Sequence, residues 1–341
     1  MADRLILGLE TSCDDTCAAV VTRAGDVRSN VISSQGIHDA YGGVVPEIAS
    51  RHHLELVNAA VDDALRRAGA TLDDIGLVAV TQGPGLVGAL LVGVATAKAV
   101  AAARGLPLAA VDHLQGHVAA NFLRSDPGAG GEAIMEPPFV CLLASGGHTL
   151  LARVDDHATF TVLGRTLDDA AGEAFDKGAR LLGLPFPGGP ALERLARDGD
   201  PAAFAFPVAR GLAGLDFSFA GVKTALLYRV RELGEARARE RAADLAASYQ
   251  HAIVQALAER CEQALTDSGA GRLAIGGGVA ANGPLRERLA TLSGVTLGIP
   301  PSELCTDNAA MIASAARFAD AQAFPDYLSL DAYASGERAL A

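Results

Sequence analysis

The apolar positions fall first into two short runs, residues 5–9 and 17–22, separated by the polar stretch Glu10-Thr-Ser-Cys-Asp-Asp-Thr16. Short apolar runs bounded by small polar residues predict two strands joined by a turn. The same plan returns in residues 139–144 and 149–154, around Ser145-Gly-Gly-His148, about 134 positions downstream. Two such hairpins are either an internal duplication or two unrelated hairpins. Between them the pattern alternates. Residues 77–81 read as a strand, Gly83-Pro-Gly-Leu-Val-Gly88 as a turn, and 89–104 as a small-residue helix. A strand over 108–111 and a helix over 113–123 follow. In the second half, 241–268 has helical periodicity and 273–275 is a strand running into Gly276-Gly-Gly-Val-Ala-Ala-Asn282. Helices are predicted over 285–292 and 307–318. Alternating strands and helices predict an α/β chain with a mixed or parallel sheet and ligands at strand ends. The Pro- and Gly-rich residues 126–138 predict a joint between lobes.

Composition narrows this picture. A length of 341 residues, half of them hydrophobic, predicts a folded chain of two domains. Glycine, at 38 residues, is about 11% of the chain against ~7% on average, and it clusters in short runs that suit ligand loops. The net charge of −12 excludes tight nucleic-acid binding through bulk charge. Lys98, Lys177 and Lys223 are the only lysines, and the excess of Arg over Lys reads as coding bias. Cys13, Cys17, Cys141, Cys261 and Cys305 form no CxxC pair. No basic-then-apolar leader opens the chain, and the most apolar window, 86–97, meets Lys98 too soon to span a bilayer. The expectation is a soluble cytoplasmic protein.

His113-Leu-Gln-Gly-His117 places two imidazoles at i and i+4 on one helix face, where they can share a metal or simply pack. The zinc-protease pattern HExxH needs Glu as general base after the first His, and here Leu114 stands there. That argues against a protease and leaves the metal open. Asp307 could be the third ligand or a helix N-cap, and spacing does not choose between them. Gly276-Gly-Gly278, Gly83 to Gly88 and Ser145-Gly-Gly147 match neither a Walker A loop nor GxGxxG, yet three such loops suit close approach of a ligand to backbone. Asp169, Glu173, Asp176 and Lys177 could share one helical side as a solvated face with an ion pair. Pro185-Phe-Pro-Gly-Gly-Pro190 predicts a rigid loop without regular structure. Arg229, Arg231, Arg237, Arg239 and Arg241 form the one basic concentration, either an RNA contact or a salt-bridged surface helix.

Taken together, a set of segments resembles one family. They are Gly8-Leu-Glu-Thr-Ser-Cys-Asp-Asp15, Tyr41-Gly-Gly-Val-Val-Pro-Glu47, Gly83 to Gly88, His113 to His117 and Ala144-Ser-Gly-Gly-His148. Asp168 to Lys177, Phe217-Ser-Phe-Ala-Gly-Val-Lys223, Gly276 to Asn282 and Cys305-Thr-Asp-Asn308 complete it. In this order, from residue 5 to about 318, the chain resembles the TsaD family of tRNA N6-adenosine threonylcarbamoyltransferases, formerly called O-sialoglycoprotein endopeptidases. The resemblance implies an actin/Hsp70-like (ASKHA) fold of two duplicated RNase-H-like lobes with a ligand in the cleft between them. The lobes are expected at residues 1–125 and 126–318, the second with a helical insertion, and residues 319–341 as a tail packing back on the first lobe.

The implied activity is transfer of a threonylcarbamoyl group from threonylcarbamoyl-AMP to the adenosine beside the anticodon, in tRNAs reading codons that start with A. The implied metal ligands are His113, His117 and Asp307, holding one divalent ion, Fe(2+) first and Zn(2+) as the alternative. The implied substrate-binding residues are Leu143, Ala144, Ser145, Gly146, Gly147, Asp176, Gly189, Glu193 and Asn282. Archaeal members carry a metal-binding Tyr at the place of Leu143, and that ligand is missing here. No general base is assigned; Asp176 is the single candidate. The implied protein partners are TsaB, as a heterodimer, and TsaE, an ATPase. The competing readings are a metalloprotease and an actin-like ATPase scaffold.

Overall fold

A computed structural model describes residues 4–41, 43–124, 135–209 and 211–334. Most of the joint expected at residues 126–138 and the end of the expected tail therefore lie outside the described residues. The chain forms two compact units. In the first, β1 (Leu5–Glu10), β2 (Asp15–Val21) and β3 (Val27–Ser34) make an antiparallel meander. Helix α1 (Pro46–Ala68) then leads to β4 (Ile75–Gly83), parallel to β1, and α2 (Val87–Arg104) leads to β5 (Leu108–Asp112), parallel to β4. Pro46 opens α1 where a missing N–H is harmless, and Gly69 and Gly105 close α1 and α2 in left-handed conformations. The apolar side of α2 is spent on this unit, with Val94, Ala97 and Ala101 buried in one core with Leu7, Leu9, Val78 and Leu108. Helix α3 (His113–Ala119) starts at the residue after β5.

The second unit opens with β6 (Phe139–Ala144), β7 (Thr149–Val154) and β8 (Thr161–Arg165), again antiparallel. A helical stretch follows: α4 (Ala171–Leu181), α5 (Gly188–Ala196), α6 (Ala220–Glu240), interrupted at Gly234, and α7 (Ala242–Ser268). Strand β9 (Arg272–Gly276) then pairs parallel to β6, and α8 (Gly283–Ala290) leads to β10 (Thr296–Gly298), parallel to β9. The sheet orders are β3-β2-β1-β4-β5 and β8-β7-β6-β9-β10. Each is an antiparallel meander whose first strand also pairs in parallel with the next crossover strand. The two units share one topology strand for strand, and the repeated hairpins are its first two strands in each.

From residue 300 the chain is back in the first unit, with α9 (Ser302–Cys305) and α10 (Ala309–Ala315). Residues 300–318, expected in the second lobe, thus lie in the first, as do 155–160. The reason is steric and chemical. Gly8 leaves room on β1 for the Ala309 carbonyl, and Gly116 on α3 meets Met311 and Ile312. Ser314 donates to the Ala119 carbonyl at 2.7 Å. The loop expected over 185–190 is also corrected. Helix α5 begins inside it, at Gly188, with Pro190 in the first turn, where backbone N–H groups have no helical partner to lose.

A Cβ on residue 8 would stand 2.3 Å from the Ala309 carbonyl oxygen. Gly8→Ala is therefore expected to weaken the docking of α10 by about 1–3 kcal/mol, as overpacked cores do. A lower urea midpoint with native-like circular dichroism checks this.

Candidate metal centre and ligand loops

The first unit brings the three predicted ligands together. His113 and His117 sit one turn apart on α3, their ring centroids 4.7 Å apart. Asp307 stands just before α10. It is not the N-cap: Asn308 takes that role, accepting the Met311 N–H at 2.9 Å, which leaves the Asp307 carboxylate for the histidines. Asp307 Oδ1 lies 3.2 Å from His117 Nε2 and 3.6 Å from His113 Nε2. One ligand atom from each residue lies within 4.8 Å of the other two. Both histidines are buried, and neither ring nitrogen of His117 makes a hydrogen bond. Buried, unbonded imidazole nitrogen costs free energy unless something coordinates it. This donor set, two imidazoles and a carboxylate with open positions, fits a divalent transition metal.

A second layer orients the first. Glu10, at the end of β1, is fully buried and accepts three hydrogen-bonding neighbours. Thr81 donates to its Oε2 at 2.6 Å, Ser12 N donates to its Oε1, and His113 Nδ1 lies 3.0 Å from Oε2. Ser12 Oγ is also 3.2 Å from His113 Nδ1. With Nδ1 engaged by the carboxylate, Nε2 is the atom turned toward Asp307, the usual carboxylate–histidine arrangement behind a metal. Burial favours neutral His113, but the carboxylates of Asp307 and Glu10 outweigh it and hold its pKa up at about 9. Burial likewise pushes Glu10 up, and His113 more than reverses it. Asp112 caps α3, accepting from Leu114 N at 2.8 Å and Gln115 N at 3.1 Å. Glu10 and Ser12 lie inside a segment quoted from the sequence, but nothing in that segment shows which side chain turns inward. Asp112 gave no signal beyond preceding a helix.

The second unit holds the expected substrate residues in two groups. In the first, Leu143 and Ala144 end the buried strand β6, and the loop turns on Ser145, whose N–H donates to His148 O at 2.8 Å. Gly146 and Gly147 are exposed, with open space where a Cβ would be. Gly277, at φ 84°, crosses so closely that a Cβ would lie 2.4 Å from the Ala144 carbonyl. Gly172 N donates to Ser145 O at 3.1 Å, which brings the start of α4 against the same loop. In the second group, Asp176 accepts the Gly188 N–H at 2.8 Å, next to Gly189. Burial raises the Asp176 pKa, and the Gly188 and Gly189 amides partly offset it. Asn282 Oδ1 caps α8 through Leu285 N at 3.0 Å, and its Nδ2 donates to Glu193 at 3.1 Å and Gln250 at 3.0 Å. A groove of about 690 Å³ opens beside Glu193, lined also by Gln250, His251, Gly283 and Arg288. Gln250 and His251 carried no sequence signal, being two polar residues in a long helical pattern.

The expected acidic helix face resolves differently. Lys177 bridges Asp169 at 2.8 Å and Glu173 at 2.7 Å, while Lys223 reaches Asp169 at 2.6 Å. Asp176 turns away to α5. In the arginine-rich stretch, Arg229, Arg239 and Arg241 are held by Glu232, Glu235 and Asp244, and Arg229 and Arg241 also lie over the Phe204 ring. The salt-bridged surface reading describes most of it. Burial pushes the Cys17, Cys141 and Cys261 thiols well up, so none of these is a ready thiolate nucleophile.

Residues 26–314 match the profile of the TsaD family, described as tRNA N6-adenosine threonylcarbamoyltransferase. The chain belongs to this family. A relative from Symbiobacterium thermophilum bearing that name is 53% identical over 319 residues, covering 92% of this chain and 91% of its own. One from Anaeromyxobacter dehalogenans is 52% identical over 317 residues, covering 91% and 92%. Among solved structures, component A of the (R)-2-hydroxyglutaryl-CoA dehydratase of Acidaminococcus fermentans is 13% identical. It has a TM-score of 0.56 and covers 92% of this chain and 97% of its own. Full-length HypF in its phosphate- and nucleotide-bound form is 14% identical with a TM-score of 0.59, covering 93% of this chain and 56% of its own. At that identity they speak to fold alone, and the fold is the actin/Hsp70-like one, as the sequence led us to expect.

His117→Ala and Asp307→Asn each remove one donor of the trio without touching the core strands. Each is expected to lower metal bound after dialysis against Zn(2+) to well below one per chain, with unfolding temperature largely kept. Elemental analysis of the dialysed protein reads the outcome.

Proposed function

We propose that this chain transfers a threonylcarbamoyl group from threonylcarbamoyl-AMP to the N6 amine of the adenosine next to the anticodon, in tRNAs reading codons that start with A. AMP is released. The observation that carries this reading is membership in the family over most of the chain, with His113, His117 and Asp307 assembled as a buried donor set.

The chemistry asks little of the protein in bond-making and much in placement. The donor is a mixed carbamic–phosphoric anhydride. The adenine nitrogen attacks its carbonyl carbon, the bond from that carbon to the phosphate oxygen breaks, AMP leaves with the electron pair, and N6 gives up a proton. AMP is a good leaving group, so no protein nucleophile is required, in keeping with the raised thiols. The adenine amine is a poor nucleophile, so holding it near the carbonyl is the main contribution. His113, His117 and Asp307 would hold one divalent ion, Fe(2+) or Zn(2+), which when bound supplies Lewis acidity and a template for oxygen ligands. Glu10 keeps His113 Nε2 turned toward that position. The exposed turn at Gly146 and Gly147 suits close approach of a phosphate or an oxyanion to backbone. The groove beside Glu193, Gln250 and His251 offers polar partners to the adenosine of the donor. Asn282, expected to bind the substrate, is held in place by Leu285 N, Glu193 and Gln250. Asp176 accepts backbone N–H groups and is a scaffold before it is a base.

TsaB as heterodimer partner and TsaE as an accessory ATPase belong to this reading, as does a cytoplasmic place of work beside tRNA. The protease alternative meets a buried, apolar Leu114 where its general base should be.

Synthetic threonylcarbamoyl-AMP and unmodified tRNA, with the partner proteins present, are expected to give modified nucleoside and AMP in equal amounts. His113→Ala is expected to abolish the product. Peptide cleavage, or ATP hydrolysis without transfer, would favour the alternatives. The isolated chain, at net charge −12, is expected to bind tRNA weakly, with a shallow dependence on salt in a filter-binding titration.

A further inference from the structure

We propose that Tyr333, in the segment that ends the described chain, is a positioning residue for the metal centre and acts through Asp112. This rests on reading His113, His117 and Asp307 as metal ligands.

The segment after α10 is a strap tied to the first unit at successive points. Gln322 exchanges both backbone hydrogen bonds with Leu108 of β5, each 2.9 Å. The Tyr327 ring is fully buried in the core with Leu7, Val78 and Leu108. Lys98 Nζ donates to the Leu328 carbonyl at 2.9 Å and also to that of Leu330. Gln82 Nε2 donates to Asp331 O at 2.7 Å, and Tyr333 N donates to Gln82 O at 3.2 Å. The strap arrives over Gly83 so closely that a Cβ there would lie 2.4 Å from the Tyr333 carbonyl and 2.8 Å from its ring.

At that point Tyr333 Oη donates to Asp112 Oδ2 at 2.6 Å. The two oxygens of Asp112 are thus divided. Oδ1 takes the N–H groups of Leu114 and Gln115 that open α3, and Oδ2 is held by the strap. Helix α3 is only seven residues long, and its first is His113. So short a helix takes its direction from its cap and its neighbours, because its own hydrogen bonds are few. A second route leads to the same imidazole. Gly85 N donates to Ala334 O at 3.3 Å, Leu86 N donates to Ser12 O at 2.8 Å, and Ser12 Oγ lies at His113 Nδ1. The strap therefore braces the cap in front of His113 and the turn behind it. The Tyr333 hydroxyl contributes nothing to the anchorage at Gln322, Tyr327 and Lys98, so removing it leaves the strap attached there while breaking the bond to Asp112.

Full-length Tyr333→Phe is compared with the native protein in three measurements: Zn(2+) affinity by competition with a chromophoric chelator, the visible spectrum of the Co(2+) form, and thermal unfolding. Loss of an outer-layer partner typically costs ~10–100-fold in metal affinity, and one bond further out we expect about 3- to 10-fold. The Co(2+) bands are expected to shift, with the unfolding temperature nearly unchanged. Asn caps helices about as well as Asp, so Asp112→Asn keeps α3 while altering the acceptor. Adding Tyr333→Phe to it is expected to cost nothing more. Native affinity and spectrum in Tyr333→Phe would overturn the proposal, as would an undiminished loss in the Asp112→Asn background. A native chain that takes up neither Zn(2+) nor Co(2+) overturns the metal reading itself, a result distinct from either.

Discussion

A fully buried carboxylate at the end of a central strand sets the terms for the first unit. Glu10 cannot be left in an apolar interior without partners, because an unpaired buried charge costs several kcal/mol. The chain answers with Thr81 from the neighbouring strand, the Ser12 amide from the following turn and His113 from the helix after β5. One side chain thereby fixes three segments distant in sequence. The geometry of His113 follows: its Nδ1 is engaged, and its Nε2 faces Asp307. A neutral Gln in the place of Glu10 could satisfy Thr81, but it would not hold the imidazole with the same charge.

The two units show how one topology is put to two uses. In each, a strand ends in a turn of small polar residues before the chain doubles back. In the first unit that turn, residues 11–14, is tied inward, with Ser12 bonded to Glu10 and pressed by Gly85 and the Leu86 N–H. In the second, the equivalent turn at residues 145–148 closes on itself through Ser145 N and His148 O, takes the Gly172 N–H on the Ser145 carbonyl, and leaves Gly146 and Gly147 exposed. The first arrangement builds a rigid frame for buried donors. The second leaves two glycines exposed at the end of a central strand.

The parts of the fold that could be read from the sequence were those whose burial is uniform. Strands such as Leu5–Glu10 and Phe139–Ala144 are central and covered on both faces, so they appear as unbroken apolar runs. The edge strands β3 and β8 did not announce themselves, whereas the edge strand β5 did. Val27–Ser34 mixes Arg, Ser and Asn among its apolar residues, and Thr161–Arg165 is mostly unburied. Helix Pro46–Ala68 escaped because its buried side is made of Ala, His and Val between charged residues. In the site, the histidine pair was legible from its spacing. Asp307 was not, because its neighbour Asn308 competes for the same capping role and only the backbone shows which of them takes it. The Asp112–Tyr333 bond spans 221 positions, and no local pattern could disclose it.

The charge distribution completes the argument about partners. Composition alone made the scarcity of lysine look like coding bias, yet each of the three has a specific use. Lys177 and Lys223 converge on Asp169, and Lys98 holds carbonyls of the strap. A compact ammonium can do this where a planar guanidinium would need more room and a different fork of acceptors. The arginines of the one basic stretch are largely bound to neighbouring acids and to Phe204. Cations already committed to carboxylates release little counterion on meeting phosphate, since the acids they would abandon must then be left unpaired beside a polyanion. In that stretch the described contacts leave few cations uncommitted for a grip along a phosphate backbone.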